Sequence, residues 1–184
     1  MKKNGKMGRS RYKIYEEHYP YFITSTIKDG LPLLSKPELA QVVLESLTYL
    51  QNARNVQLYG YVIMENHFHA VVKGEDLAKK LRLTKSFMAR MMVDVMIENG
   101  NSKLLSQIAF RKLRHKLKSD YQVWEEGFHP KQLFNNELLV QKLEYMHYNP
   151  VKAGFVERPE HWRYSSMKNY LGQEGLIPVT IYAG

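Results

Sequence analysis

Cysteine is absent from the 184 residues. Its absence excludes disulfides and thiolate-held metal, and it lends no support to secretion. Long apolar runs are also missing. None approaches the ~20 residues of a membrane span, and the basic start, Met1-Lys2-Lys3-Asn4-Gly5-Lys6, is followed by no apolar signal core. The chain is therefore expected in the cytoplasm, away from membranes. Acidic residues are scarce beside basic ones: 18 Asp and Glu stand against 27 Lys and Arg, a formal charge of +9. Such an imbalance points to phosphate-rich partners. An anionic membrane surface would account for it equally, but no basic amphipathic helix carries an exposed aromatic face.

What is present supports a folded protein. Hydrophobic residues make up 44% of the chain, enough for a core, and the length suits one domain, alone or with appendages. The 13 tyrosines lie among basic residues. That interleaving suits stacking on unpaired bases, although tyrosines also line core edges and sheets.

Residues 1–18 read as a basic arm containing Arg9, Arg11 and Lys13, or as a frayed terminus. Tyr19 to Lys28, rich in aromatic and β-branched residues, predicts a strand that Asp29-Gly30-Leu31-Pro32 ends. Lys36-Pro37-Glu38 opens a helix with an apolar stripe of Leu39, Val42, Val43, Leu47 and Leu50, ending near Asn52. Val56 to Met64 and Phe68 to Lys73 predict two strands joined by a Glu65-Asn66 turn. Leu77 to about Asn99 predicts a second helix whose Met88, Met91, Met92 and Met96 fill a core.

Residues 102–120 carry the densest positive run, with Arg111, Lys112, Arg114, His115, Lys116 and Lys118. A solvated helix face and a nucleic-acid contact are both open readings. Asp120 to Trp124 predicts a fourth strand. Glu137 to Tyr148 predicts a third helix capped by Asn135 or Asn136 and stopped near Asn149, because a residue before proline disfavours helical geometry. Short helical turns and a tail follow, docked by Trp162 and Tyr164. The order strand–helix–strand–strand–helix–strand is the split βαβ pattern of a ferredoxin-like, α+β fold. Its helices should cover one face of an antiparallel sheet and leave the other available, with an extra helical segment at the C-terminus.

Two places carry chemistry. Alternation along a strand puts His67 and His69 on one face, with Cα atoms roughly 6–7 Å apart, a separation suited to two imidazoles on one metal ion. A surface pair or a satisfied sheet histidine reads the same way. On the third helix, Tyr145 and Asn149 share a face at i, i+4 spacing. A tyrosine hydroxyl can attack phosphorus when a base or a polarised electrophile assists. Two imidazoles, an amide oxygen and phosphate oxygens would hold Mg²⁺ or Mn²⁺. The plain alternatives are a Tyr145 that anchors the core rim and an Asn149 that merely caps the helix before Pro150.

Read together, several stretches resemble the REP-associated tyrosine transposases, a branch of the single-strand HUH transposases. They are Met64-Glu65-Asn66-His67-Phe68-His69, Val123-Trp124-Glu125-Glu126-Gly127-Phe128-His129, Tyr145-Met146-His147-Tyr148-Asn149-Pro150-Val151-Lys152-Ala153-Gly154-Phe155-Val156 and His161-Trp162-Arg163-Tyr164-Ser165-Ser166. The resemblance spans residues 19–170, leaving 171–184 as a tail. It implies a ferredoxin-like or RRM-like core, His67, His69 and Asn149 as metal ligands, and Tyr145 as nucleophile. It implies metal-dependent transesterification of single-stranded hairpin DNA through a 5′-phosphotyrosyl link, by a monomer or homodimer. Arg9, Arg11, Arg111, Lys112, Arg114, Lys116 and Lys152 are the candidate DNA contacts. A non-catalytic RRM-like module is the rival, with Tyr59 and Tyr61 as possible stacking platforms. Metal-dependent hydrolysis without a covalent intermediate is the third reading.

Overall fold

Strict alternation builds the sheet. In β1 (Tyr21–Thr26), Tyr21 and Ile23 are buried on one face while Phe22 and Thr24 point to the other. The same parity holds in β3 (His67–Lys73), where Phe68, Ala70 and Val72 share the first face and His67, His69 and Val71 the second. These elements come from a computed structural model, which describes residues 14–113 and 120–182.

Between these strands run α1 (Pro37–Arg54) and β2 (Gln57–Ile63). After β3 come α2 (Leu77–Glu98), α3 (Ser102–Phe110), β4 (Lys131–Gln132), α4 (Asn136–His147), α5 (Asn149–Lys152) and α6 (Met167–Tyr170). The sheet order is β2-β3-β1-β4, with every pair antiparallel. That is the expected α+β, ferredoxin-like arrangement, with β1 and β3 in the centre.

Helix α1 starts with Pro37 in its first turn and Glu38 at its positive end, and it stops at Asn55 in left-handed geometry (φ 50°). Its stripe of Leu39, Val43, Leu47 and Leu50 packs with Met88, Met92 and Met96 of α2 and Ile108 of α3. All three helices contribute to the core on the Tyr21 face. The stretch 102–110, for which a solvated helix face is one of two open readings from sequence, is helical, and its Ile108 is buried.

Two expectations are corrected. First, Asp120 to Trp124 is not a strand. Only a bridge from Trp124 to Ile27 and bonds from Lys28 N–H to Val123 O and Glu125 N–H to Thr26 O tie it to the end of β1 and the residues just after it. Around Gly127 (φ 79°) and His129 (φ 43°) regular pairing gives way to a single bond from Thr24 N–H to Phe128 O, and the ladder resumes at Lys131, opposite Phe22. Positive φ at both positions, followed by the donorless Pro130, breaks the regular strand geometry of the segment.

Second, the other sheet face is not left free. Helix α4 crosses it, and Leu139, Leu143 and Met146 join Phe22, Val62, Met64, Val71 and Leu133 in a second apolar cluster. Burial of each of those three helix side chains contributes about 1.5–3 kcal/mol. At Gly60 the ends of the Met146 and Leu143 side chains fill the space a Cβ would take, so a larger residue there would displace them. Asn135 is the N-cap, accepting a bond from Leu138 N–H at 2.9 Å. Pro150 does not turn the chain away. It sits in the first turn of α5, and Tyr148 (φ −83°, ψ −6°) keeps near-helical geometry between the two helices.

The C-terminal segment lies along the outer edge of β2. Ile63 N–H bonds Tyr164 O, Ser166 N–H bonds Tyr61 O, and Thr180 N–H bonds Leu58 O. Trp162 docks it, donating Nε1–H to Ile63 O at 2.9 Å. Among the described residues, no helix is long and apolar enough to cross a membrane.

Candidate active site

The β1–β3 register sets Thr24 directly opposite His69 and Thr26 opposite His67. Thr24 Oγ1 lies 2.8 Å from His69 Nδ1. The imidazole of His67 meets Asn66 Oδ1 through Nδ1 at 2.7 Å. Both rings are thus anchored by Nδ1, and the bond to the Asn66 oxygen selects the tautomer that leaves Nε2 of His67 with a lone pair. Histidines that ligate metals are commonly oriented through the opposite ring nitrogen in this way. The two ring centroids are 4.8 Å apart, with planes inclined at 70°.

Burial lowers the pKa of both. His69 is pulled down to about 3, chiefly by loss of water and then by the charge of His67, and His67 is lowered by burial as well. At neutral pH the pair is uncharged, the form that binds a cation.

Phe22 is the pedestal of the site. It is buried, it stacks on His69 at 4.9 Å and 29°, and it meets the Tyr145 ring edge-on at 6.0 Å. Tyr145 comes from α4, is 41% exposed, and has its ring centroid 5.9 Å from that of His69. An accessible phenol therefore stands beside the buried His69, whose neighbour His67 is half-buried. Lys142 and Lys152 each place Nζ 5.1 Å from the Tyr145 ring centre. Together with Gln141, Glu144 and Tyr148 they line a surface depression around the phenol.

Asn149 begins α5, one helical turn beyond Tyr145. It is half-buried, and its carboxamide makes no hydrogen bond among the described residues. No cluster of three or more His, Cys, Asp or Glu that could hold a metal occurs among the described residues. The structure brings the two imidazoles together, and Asn149 lies one helical turn from Tyr145, with no hydrogen bond to either ring among the described residues. Two Nδ1-anchored, neutral imidazoles fit a divalent cation of the Mn²⁺ type, completed by oxygen donors.

The basic candidates divide. Lys152 adjoins Tyr145. Arg111 is engaged with Asp29 at 3.5 Å, and Lys112 follows it at the end of α3. Arg9, Arg11, Arg114 and Lys116 lie outside the described residues. Tyr61 is fully buried under the helices, and Tyr59 packs against Tyr182, so neither is an open stacking platform. Sequence reading missed Thr24, Phe22, Lys131 and Lys142. The i, i+3 spacing of Lys142 and Tyr145 was a usable signal, whereas Thr24, Phe22 and Lys131 depend on strand register. A larger hollow, about 900 Å³, lies between α2 and residues 121–130 and includes neither histidine.

No protein-family model matches the chain, and no curated protein sequence matches it. A solved structure does: that of a REP-associated tyrosine transposase bound to a REP hairpin. It is 17% identical, the match covers 95% of this chain and 96% of that one, and the TM-score is 0.63. At that identity the likeness is one of fold, extending over nearly the whole of both chains.

Proposed function

We propose that the chain is a metal-dependent single-strand DNA transposase or endonuclease that nicks and rejoins hairpin DNA through Tyr145. The observation that carries this reading is the Tyr145 ring 5.9 Å from His69, across a shared Phe22 pedestal. The net charge of +9 and the fold shared with a hairpin-bound tyrosine transposase support it further.

In this reading Tyr145 Oη attacks a backbone phosphorus and the P–O3′ bond breaks. The phenol gives up its proton, and the departing 3′ oxygen takes one up. A 5′-phosphotyrosyl link and a free 3′-hydroxyl result. Attack by a 3′-hydroxyl on the link reverses the bonding and rejoins strands, with no need for ATP. His67, His69 and Asn149 would hold Mg²⁺ or Mn²⁺. When bound, that cation supplies Lewis-acid polarisation of the phosphate. Thr24 and Asn66 keep the imidazoles oriented, and Phe22 keeps His69 and the phenol in fixed relation.

The test is incubation with labelled hairpin single strands and Mn²⁺, followed by denaturing electrophoresis. Wild type should give a covalent adduct and Tyr145→Phe none. Equal adduct in both overturns Tyr145 as nucleophile, and cleavage without any adduct indicates hydrolysis instead.

A further inference from the structure

Two lysines on the site's face are not used by the chemistry above. Lys131 pairs opposite Phe22 in the β1–β4 ladder, so its side chain emerges on the same face as Phe22 and His69. Lys142 of α4 comes down onto that face, with Nζ 5.5 Å from the Phe22 ring centre and 5.1 Å from that of Tyr145.

Among the described residues neither ammonium has an anionic partner. The side chains of Lys131 and Lys142 form no ion pair or hydrogen bond among the described residues, although Glu144 lines the same depression as Lys142. The contrast is Lys28, held by Asp29 and Glu125. Lys142 is also driven below its ordinary pKa, first by loss of water and then by the charge of Lys131. Two like charges on one face of the site, one partly desolvated, repel each other until an anion joins them.

We propose that Lys131 and Lys142 form a phosphate subsite that seats one backbone phosphate of a DNA single strand against Phe22 and Tyr145. Two ammoniums act as point charges toward the oxygens of one phosphodiester. The exposed rings of Tyr145 and Tyr148 offer stacking surfaces to the neighbouring bases, a combination that selects nucleic acid over an isolated anion. The subsite rests on the reading of Tyr145 only in so far as that residue makes the seated phosphate a neighbour of the reacting one.

The test is binding of a short fluorescent single strand followed by anisotropy, in EDTA so that no divalent cation contributes, across a series of KCl concentrations. Wild type is compared with Lys131→Gln/Lys142→Gln and with Lys103→Gln, an exposed lysine on α3. Circular dichroism establishes that all three fold alike. The double variant should bind about tenfold more weakly at low salt, with a log–log salt slope shallower by about 0.7, the value for one phosphate on single strands. Lys142→Arg should retain wild-type behaviour. A double variant that matches Lys103→Gln in affinity and slope overturns the subsite. The adduct assay separates this from the chemistry. A shallower slope with no adduct from any protein keeps the subsite and removes the nucleophile, whereas adduct formation with an unchanged slope does the reverse.

Discussion

His147 Nε2 and Ser166 Oγ meet at 2.8 Å in the interior, where both residues are almost wholly buried. Ser166 Oγ also accepts the N–H of Tyr61 at 2.9 Å and stands 3.2 Å from the carbonyl of the same residue. One hydroxyl thus joins α4, the β2 edge and the C-terminal segment, and its partner on α4, His147, is two residues from the exposed phenol of Tyr145. Apolar packing holds α4 on the sheet, but this bond fixes where along the sheet the helix end lies.

Ser166→Ala should therefore destabilise the fold by about 1–3 kcal/mol, because it strands a buried imidazole nitrogen and a buried backbone N–H. Urea unfolding reads the loss as a lower midpoint with an unchanged slope. An unchanged midpoint would mean that the bond contributes nothing.

Stability should also fall in acid through the histidines. Burial pulls His69 down to about 3 and His147 to about 4 from an ordinary 6.5. The unfolded chain therefore binds more protons than the folded one between about pH 6.5 and pH 3, and stability rises with pH through that window. Expressed from the top, stability is level above pH 6.5 and declines as acid is added, by about 1.4 kcal/mol for each unit of pKa displacement. Denaturant midpoints measured from pH 8 to pH 4 test this, and His147→Gln should flatten part of the decline. A midpoint that holds steady down to pH 4 would contradict the burial of both rings.

The C-terminal segment protects an edge. Strand β2 is outermost in the sheet, and Tyr164, Ser166 and Thr180 occupy backbone groups of Ile63, Tyr61 and Leu58 that would otherwise face water. Removing residues 159–184 should leave that row of donors and acceptors open to another chain. Light scattering should show concentration-dependent association of the truncated protein and none of the full chain. A truncated protein that stays monodisperse would show that the segment is dispensable as a cover.

How much of this was legible in the sequence depends on the range of the interaction. Helices α1, α2 and α4 and the three longer strands follow from local periodicity and turn residues, so their bounds fell within a few residues of the expected ones. Strand β4 did not, because Tyr121 to Trp124 has strand composition but only one bridge to spend it on, while Lys131–Gln132 has no strand signal and pairs through position alone. The same division runs through the site. Spacing placed His67 beside His69 and Tyr145 beside Asn149. That Phe22 would lie between the two halves required the register of β1 on β3 and the landing point of α4. Neither is encoded within a single helix or strand. The covered sheet face was missed for the same reason: the apolar stripe of α4 names no partner, and the partners, Phe22, Val62 and Val71, come from three different strands.

The bond between Thr24 and His69 gives the most selective test of the metal reading. Thr24 Oγ1 is the partner of His69 Nδ1 at 2.8 Å, and valine has nearly the same shape without the hydroxyl. Thr24→Val should leave the sheet intact, since a β-branched residue remains in a central strand. It should release the imidazole's orientation and weaken Mn²⁺ binding by about 10–100-fold, the usual cost of losing a partner behind a ligand. The signal of free Mn²⁺ in electron paramagnetic resonance measures that affinity without any DNA or turnover. His69→Ala should abolish specific binding in the same titration. Tyr145→Phe should leave it unchanged, because the phenol is assigned to phosphorus and not to the cation. If Thr24→Val binds Mn²⁺ as tightly as wild type while His69→Ala does not, the hydroxyl is only a structural neighbour. If all three variants match wild type, the cation does not sit on the histidine pair.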